Sequence, residues 1–417
     1  MPGPTTYFDP ATTSHLDPRT RDLVERRARS LGSAYRLFYR TPLEFVRGEG
    51  AHLFTADGTD YLDAYNNVPS VGHAHPRVAA AIAEQAARLS THTRYLSRAT
   101  VDYAEDLLGT FPAHLGNVMF TCTGSEANDL ALRIVRAATG RRGVIVTENA
   151  YHGVTTEVAA LSPSLVGADA VADWVRVVPA PTPGTDFAAA VAAAIDSLDA
   201  AGIGLGCLIV DTIFASDGVL PDAPGLAAAA RAAQAAGGLL VADEVQPGFG
   251  RLGDGLWGFD RHGLVPDLVT LGKPMGNGYP VAAVVARPEL VDAFAARGRY
   301  FNTFGGNTVA IAAAQATLDV VREEGLVARA ARLGAVLAEG LRAIGGSVVE
   351  VRGCGLFLGV QLGDEGTARE AVNALEERRI LIGASGLRND TLKVRPPLAL
   401  SDADAERLLD GLAAVLG

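Results

Sequence analysis

Short apolar runs alternate with segments of helical periodicity through the middle of the chain. The pattern predicts strands at 117–121, 143–148, 207–214, 238–245, 267–272 and 280–286, with helices at 125–139 and 225–237 between them. Strands that alternate with helices favour a mainly parallel sheet with helices on both faces. The predicted fold class is therefore α/β.

The pattern changes near residue 308. Two long helical segments are followed by two adjacent strands within 347–362, a helix at 367–379, an edge strand with prolines at its end within 391–400, and a last helix with Ser401 as its N-cap. This succession indicates a second, smaller α+β domain. We predict an N-terminal segment at 1–55 that joins this small domain, a large domain at 56–307 and the small domain at 308–417.

Composition narrows the class of protein. The net charge is −11, which argues against nucleic acid and anionic lipid as partners. The three cysteines, Cys122, Cys207 and Cys354, are widely spaced, as is typical of a reducing compartment. No secretory signal or apolar stretch of membrane length is found, so we expect a cytoplasmic protein with no membrane association.

A single lysine stands at the end of an apolar run in "VTLGKPMGNGYPVAAVV". Glycines and a proline surround Lys273, so the backbone can turn sharply there. The residue is either a solvated turn lysine or an amine held in a cleft.

A second stretch, "FTCTGSEANDLALR", passes from a strand into a helix through Gly124 and Ser125. The first N–H groups of a helix attract anions, above all phosphate. The alternative is an ordinary turn with Ser125 as the N-cap. Phosphate-loop and dinucleotide-loop patterns are absent from the sequence.

Further polar residues follow predicted strands. Asp243 ends the run "LLVAD", at the strand end where open α/β sheets bind ligands, and Tyr151 and His152 follow another strand. The histidines of "GHAHP" and His92 lack acidic or cysteine partners at ligand spacing, so we predict no metal site.

These stretches together fit one kind of ligand, a phosphorylated pyridine aldehyde. A lysine can form a Schiff base with it, a carboxylate can keep its ring nitrogen protonated, an aromatic side chain can stack on its ring, and a helix start can hold its phosphate.

The sequence resembles the class III (omega-) aminotransferases, pyridoxal 5′-phosphate (PLP) enzymes of fold type I, from about Pro42 to its end. The motifs "YLDAYNNVPSVGHAHPRV", "TGSEANDLALR", "AYHG", "ADEVQPGFGRLG", "PDLVTLGKPMGNGYPVAAVV", "TFGGNTVA" and "RGCGLFLGVQL" occur in the family's order. The resemblance implies a large domain with a mainly parallel sheet, a smaller α+β domain, and a homodimer with shared active sites.

The resemblance also implies roles for individual residues. Lys273 would form the Schiff base and Asp243 would pair with the pyridine nitrogen. The other implied PLP contacts are Gln246 at the phenolic oxygen, Tyr151 and Val245 on the ring faces with His152 beside them, Gly124 and Ser125 at the phosphate, and Thr303 at the phosphate of the partner subunit.

The resemblance implies transfer of an amino group from a small-molecule amine to a carbonyl acceptor. The stretches "RNDTLKVRPPL" and "TRYLSRATVDYAE" look more like the phospholyase branch, which eliminates phosphate from O-phosphoethanolamine-type amines; there Arg94, Lys393 and Arg395 would hold the substrate phosphate. The sequence departs from both patterns in "DTIFASDGV", where many members have a glutamate in place of Asp211.

Two readings from other classes remain. A catalytically idle relative that serves as a binding subunit is disfavoured by the intact Lys273 and Asp243. A histidine–metal hydrolase lacks a ligand set.

Overall fold

The computed structural model describes residues 7–417, so residues 1–6 of the predicted N-terminal segment lie outside the described residues. The strands are β1 (Phe45–Glu49), β2 (His52–Thr55), β3 (Asp60–Asp63), β4 (Asn117–Thr121), β5 (Gly143–Thr147), β6 (Val175–Val178), β7 (Leu205–Asp211), β8 (Leu239–Asp243), β9 (Leu268–Leu271), β10 (Ala282–Ala286), β11 (Val348–Cys354), β12 (Phe357–Leu362), β13 (Ile380–Leu381), β14 (Gly383–Ser385) and β15 (Thr391–Val394).

The helices cover the sheets and link the two halves of the chain. They are α1 (Pro18–Leu31), α2 (Pro76–Arg88), α3 (Arg98–Leu108), α4 (Gly124–Thr139), α5 (Thr156–Ala159), α6 (Pro163–Val166), α7 (Phe187–Ala200), α8 (Leu226–Ala235), α9 (Gly258–Arg261), α10 (Pro288–Ala295), α11 (Thr308–Glu323), α12 (Leu326–Ile344), α13 (Glu365–Glu377) and α14 (Asp402–Leu416). No helix in residues 7–417 combines the length and the apolar character needed to cross a bilayer.

The central sheet has seven strands in the order β4-β10-β9-β8-β7-β5-β6. Strand β10 runs antiparallel to both of its neighbours, and the other pairings are parallel. Helices shield both faces, so β5, β9 and β10 are buried along their whole length and their sequences are almost wholly apolar. The predicted α/β class with a mainly parallel sheet is confirmed.

Strand β7 ends earlier than its apolar run predicted. The run continues to Phe214, but the strand stops at Asp211, whose carboxylate accepts the N–H groups of Ile213 (3.0 Å) and Ala215 (2.9 Å). Phe214 has a φ of 51°, which a strand does not allow. This carboxylate-capped turn starts a loop that borders the cleft described below.

A second sheet has four strands in the order β11-β12-β15-β14. The prediction that "TLKVRPPL" forms an edge strand was wrong, because β15 lies between β12 and β14. Strand β14 was not predicted, because it is only three residues long and begins with a glycine. The prolines follow β15, so they remove no donor from the ladder.

The third sheet links the two ends of the chain. Strands β1, β2 and β3 form an antiparallel meander, and β13 pairs with β3 in parallel. A single apolar core joins β3 to α12, α14 and the second sheet. We therefore propose that the N-terminal segment and the C-terminal part form one small domain.

Candidate active site

Lys273 lies directly after β9, at the start of the short 3-10 turn Lys273–Gly276. Its φ is 25°, in a region that residues with a side chain rarely adopt and that often marks functional sites. Burial and the neighbouring Arg395 lower the pKa of the Lys273 amine to about 8, because both disfavour its charged form. The amine is therefore easier to deprotonate than that of a solvated lysine.

Asp243 ends β8, the neighbour of β9 in the sheet. One carboxylate oxygen contacts His152 Nδ1 (2.7 Å) and accepts a bond from Asn128 Nδ2 (2.9 Å). The other oxygen accepts the N–H of Val245 (3.0 Å). These contacts fix the orientation of the carboxylate at the carboxyl end of the sheet.

The start of α4 offers a place for an anion. Thr123 is the N-cap, and its hydroxyl and the Glu126 carboxylate close a capping box. Gly124 and Ser125 open the helix, so their N–H groups have no partner within it. The capping prediction therefore needs correction, because Thr123 rather than Ser125 is the N-cap.

Glycines bring the start of α4 into contact with three other chain segments. A Cβ on Gly124 would lie 2.9 Å from Val245, and one on Gly272 would lie 3.3 Å from the Cα of Gly124. A Cβ on Gly153 would lie 2.6 Å from the Ser125 hydroxyl, which accepts the N–H of Val154 (3.1 Å). The helix start, the Lys273 turn and the loop after β5 therefore share one cradle.

Two predicted ring contacts differ in exposure. Val245 is buried, whereas Tyr151 is 38 % exposed. Burial of the Tyr151 ring and the charge of Asp243 raise the pKa of the Tyr151 hydroxyl, so this group stays protonated near neutral pH.

Gln246 lies between the two halves of the cleft. Its Oε1 accepts bonds from Asn67 Nδ2 (2.6 Å) and from an Arg395 Nη1 (3.0 Å). This assignment of the amide leaves Nε2 as a donor for a ligand oxygen. The geometry thus suits the predicted contact with a phenolic oxygen.

The residues present fit PLP. The donor set combines an amine of lowered pKa, a fixed carboxylate and a helix start, and the glycine cradle brings these elements close together. Lys273 would bond the aldehyde, Asp243 would face the ring nitrogen, and Gly124 and Ser125 would hold the phosphate.

Strand β15 brings two cations to the other side of the cleft. Lys393 pairs with Gly359 on β12 and with Gly383 on β14. Because glycine has no side chain, neither neighbouring strand places a side chain directly beside that of Lys393. A Cβ on Gly359 would meet Val219 of the central domain. Burial, Arg395 and Lys273 lower the pKa of Lys393 well below its ordinary value.

Arg395 is buried and, within the described residues, neither it nor Lys393 has a salt bridge to a carboxylate. The backbone N–H of Arg395 donates to the Ala64 carbonyl (2.9 Å), which fixes the position of the Arg395 backbone. Lys393 and Lys273 are the two lysines of the chain, whose other basic side chains are arginine. Both lysines therefore lie in the cleft. A lysine amine can gain and lose a proton there, whereas an arginine would stay charged.

Arg94 and Thr303 lie elsewhere in the chain. The Arg94 guanidinium lies over the Phe301 ring, 3.7 Å from its centroid, and contacts neither Lys393 nor Arg395. Thr303 is exposed two residues further on. The structure therefore does not bring these two residues together with the other predicted site residues of the same chain.

The histidines considered for a metal have other contacts. His73 Nε2 lies 2.7 Å from Asp63 Oδ2, His75 Nε2 lies 3.2 Å from a Glu324 oxygen, and His92 stacks on Tyr95. No group of three potential ligands that could hold a metal ion occurs in the part of the chain that the structure describes.

Sequence reasoning missed Asn128, Asn67 and Tyr65. Asn128 donates to Asp243 and to the His152 carbonyl (2.7 Å), and its signal was an asparagine on the buried face of α4. Asn67 and Tyr65 lie in the loop after β3, and only packing across the cleft places them beside Gln246 and Arg395.

Comparisons with known proteins agree with this site. The family described as aminotransferase class-III matches residues 38–416. An alanine–glyoxylate aminotransferase 2-like protein of Drosophila melanogaster is 39 % identical, covering 92 % of this chain and 85 % of the relative. An ethanolamine-phosphate phospho-lyase homolog 1 of Caenorhabditis elegans is 33 % identical, covering 94 % and 92 %.

The solved structures include a phospholyase from Arthrobacter in complex with phosphoethanolamine. It is 42 % identical, with a TM-score of 0.92, and the match covers 95 % of this chain and 99 % of that one. The family match and these similarities confirm the predicted fold type I, cofactor and enzymatic class. The chain belongs to the class III aminotransferases and is a PLP-dependent enzyme.

Proposed function

We propose that this aminotransferase takes its amino group from a small-molecule amine that carries an anionic group. The observation that carries the proposal is the pair Lys393 and Arg395, two basic groups beside Lys273 without a carboxylate partner among residues 7–417. A buried cation such as Arg395 needs a counter-charge, and an anionic ligand supplies it on binding. Arginine can grip two oxygens of such a group, whereas lysine acts as a point charge.

The chain's own residues then have distinct tasks. PLP, when bound, supplies the aldehyde that takes up the amine and a ring that accepts electrons from the carbon bearing it. Lys273 Nζ would take the proton from that carbon and deliver it to the carbon that was the aldehyde carbon of the cofactor, so that the amino group stays with the cofactor; the lowered pKa of Lys273 favours this proton transfer. Asp243 would face the ring nitrogen, and the three groups that contact its oxygens hold it in place.

A second candidate reaction is elimination of phosphate from an amine such as O-phosphoethanolamine. The two cations suit a dianion, and the Arthrobacter structure, 42 % identical, is of a phospholyase with phosphoethanolamine. Lys273 Nζ would take the proton from the carbon that bears the amine, and the neighbouring C–O bond would break, so that phosphate leaves with the electron pair. Water would then release ammonia and the aldehyde. Arg94 does not contribute within one chain, since it stacks on Phe301.

One assay separates the two reactions. Holoenzyme is incubated with O-phosphoethanolamine alone, and in parallel with a panel of anionic amines and keto acids. Amino acid formed from the keto acid, without phosphate release, is the expected result for transfer. Steady phosphate release in the absence of any keto acid would establish elimination instead. Neither product with any amine would refute the proposed function.

We also propose a homodimer whose sites share Thr303. Large apolar side chains are exposed on both sides of Thr303 in sequence, at Phe301 (39 %) and Phe304 (68 %). Two more, Tyr95 (68 %) and Leu96 (102 %), follow Arg94, which packs on Phe301. An exposed apolar patch of this kind favours association. Sedimentation should give at least twice 43.2 kDa. An active monomer would contradict the proposal.

A further inference from the structure

A column of aromatic rings runs from Arg395 to the N-terminal segment. The Arg395 guanidinium lies over the Tyr65 ring, 4.8 Å from its centroid. The centroids of Tyr65 and Phe38 are 5.2 Å apart in an edge-to-face contact, and Tyr7 stacks on Phe38 at 5.3 Å with an interplanar angle of 5°. Arg36 lies over the outer ring, 5.4 Å from the Tyr7 centroid. The column thus has a cation at each end.

The inner ring of the column has little freedom. A Cβ on Gly383 would lie 2.8 Å from Cε2 of Tyr65, so the absence of a side chain on β14 makes room for the ring. Phe38 contacts the ring from a second direction and Arg395 from a third. Moving Tyr65 would therefore require rearrangement of β14, of Phe38 or of Arg395 itself.

The N-terminal segment that carries the outer rings is fixed to the small domain. The Tyr39 hydroxyl donates to the Ile382 carbonyl (3.2 Å), next to β14, and the N–H of Arg40 donates to Asn373 Oδ1 (2.8 Å) on α13. Phe8 donates its N–H to the Leu37 carbonyl (2.9 Å), which holds Tyr7 against Phe38. The outer rings are therefore tied to the residue before β14 and to α13.

An aromatic partner differs from a carboxylate in what it leaves to a ligand. A carboxylate would neutralise Arg395 and occupy the N–H donors at the guanidinium edge. Tyr65 covers the face of the guanidinium by a cation–π contact, which retains the positive charge and most of the donors. Lys273, Lys393 and Arg251 are basic groups near Arg395, and its charge contributes to lowering the pKa of each. The Tyr65 contact therefore adds to the hydrogen bond from Arg395 to Gln246 (3.0 Å) in holding the guanidinium in the cleft.

We propose that Tyr65, Phe38 and Tyr7 are positioning residues for Arg395, so that the N-terminal segment sets the affinity of the cleft for the anionic group of the substrate. The inference rests on the proposed function in one respect only, that the anion binds at Arg395. The effect of the column on anion binding does not depend on whether the enzyme transfers the amino group or eliminates phosphate.

The test is calorimetric titration of PLP holoenzyme with inorganic phosphate, since the cofactor already fills its own phosphate site. Tyr65→Ala should weaken phosphate binding about tenfold, in the range of a desolvated cation–π contact. Tyr65→Phe keeps the ring and should stay within about twofold of wild type. Phe38→Ala and Tyr7→Ala should weaken binding less with each step from Arg395. Tyr35→Ala is the matched control, because Tyr35 lies in the same segment but is 67 % exposed and outside the column.

Steady-state kinetics provide the second readout. Column variants should raise KM for an anionic amine and leave kcat and the KM for a neutral amine unchanged. Unchanged phosphate affinity in folded Tyr65→Ala, or equal losses with anionic and neutral amines, would overturn the inference. If Tyr65→Ala does not fold, the partly exposed Tyr7→Ala decides in the same way. Absence of turnover with every amine would instead refute the proposed function, while the titration still reports on the column.

Discussion

The two sides of the cleft satisfy their charged groups in different ways. On the side of the central sheet, Asp243 contacts His152, Asn128 and the Val245 N–H. On the side of the second sheet, Lys393 and Arg395 have no carboxylate partner in the described chain. The charged group of the first side is therefore paired within the protein, whereas we propose that an anion pairs with the basic groups of the second.

We infer that this difference separates the chemistry at the cofactor from the choice of substrate. A carboxylate that must stay ionised needs its partners before the ligand arrives, because preorganisation is what stabilises developing charge. Cations that must capture and then release an anion are better left unpaired, since a permanent partner would compete with the substrate. Substitutions on the two sides should therefore change different kinetic constants.

The largest effect is expected at the junction of the two sides. Lys273→Ala removes the amine that we propose bonds the cofactor and carries the proton, so turnover should fall by at least about 10⁴-fold. The check is borohydride reduction of the holoenzyme followed by peptide mass spectrometry. Because the chain has two lysines, the pyridoxyl group must be found on Lys273 or on Lys393. A pyridoxyl group on Lys393 would contradict the assignment, and Lys393→Met serves as the control that should still be labelled at residue 273.

The next largest effect belongs to the cofactor side alone. Asp243→Asn removes the carboxylate that we propose faces the ring nitrogen. It also places an amide next to the donors Asn128 Nδ2 and the Val245 N–H. We therefore expect kcat to fall about a thousandfold, which corresponds to a rise of about 4 kcal/mol in the activation free energy. Asp267→Asn is the matched control, because Asp267 is a buried carboxylate before β9, where it accepts the Leu240 N–H (2.9 Å). It should lower stability and leave kcat near wild type. A value for Asp243→Asn within about threefold of wild type would refute its role.

The same division explains what could be predicted from the sequence. Lys273, Asp243 and Gly124 each follow a strand whose apolar run is visible in the sequence, and the carboxyl ends of neighbouring strands meet at one edge of a sheet. Local pattern therefore predicted which residues gather on the cofactor side. Their individual roles stay predictions until tested.

The substrate side depended on packing between distant segments. Tyr65 reaches Arg395 only because β15 lies within its sheet, and the prediction of an edge strand missed the three-residue β14 that makes this so. Arg94 and Arg395 were both predicted to hold the substrate phosphate. In the structure the Arg94 guanidinium stacks on the exposed Phe301, whereas that of Arg395 donates to Gln246. No local pattern distinguishes these two arginines, because the difference arises from long-range contacts.

A smaller and more selective effect is expected from the substrate side. Arg395→Met keeps the apolar stem and removes the charge, so KM for an anionic amine should rise about a hundredfold, while a neutral amine is affected little. Arg94→Met is the control, because Arg94 lies over Phe301 and does not contact Arg395. It should leave the KM for the anionic amine unchanged. Equal losses with anionic and neutral amines would mean that Arg395 serves the fold or the cofactor through Gln246, and not the substrate.

The smallest effect concerns the pH dependence of Lys393. Burial and the neighbouring cations lower its pKa well below the ordinary value, which favours the neutral amine in the empty cleft. An anion prefers the charged form, so its binding is coupled to uptake of a proton, and affinity should fall as the pH rises through the lowered pKa. Lys393→Arg stays charged, so its phosphate affinity should match wild type within about twofold at low pH and persist at high pH. Titrations of both proteins across pH, in buffers of different ionisation enthalpy, measure the affinity and the proton uptake together. Identical pH profiles for the two proteins would show that another group, with Asp211 and Asp217 the nearest carboxyl candidates, governs the dependence.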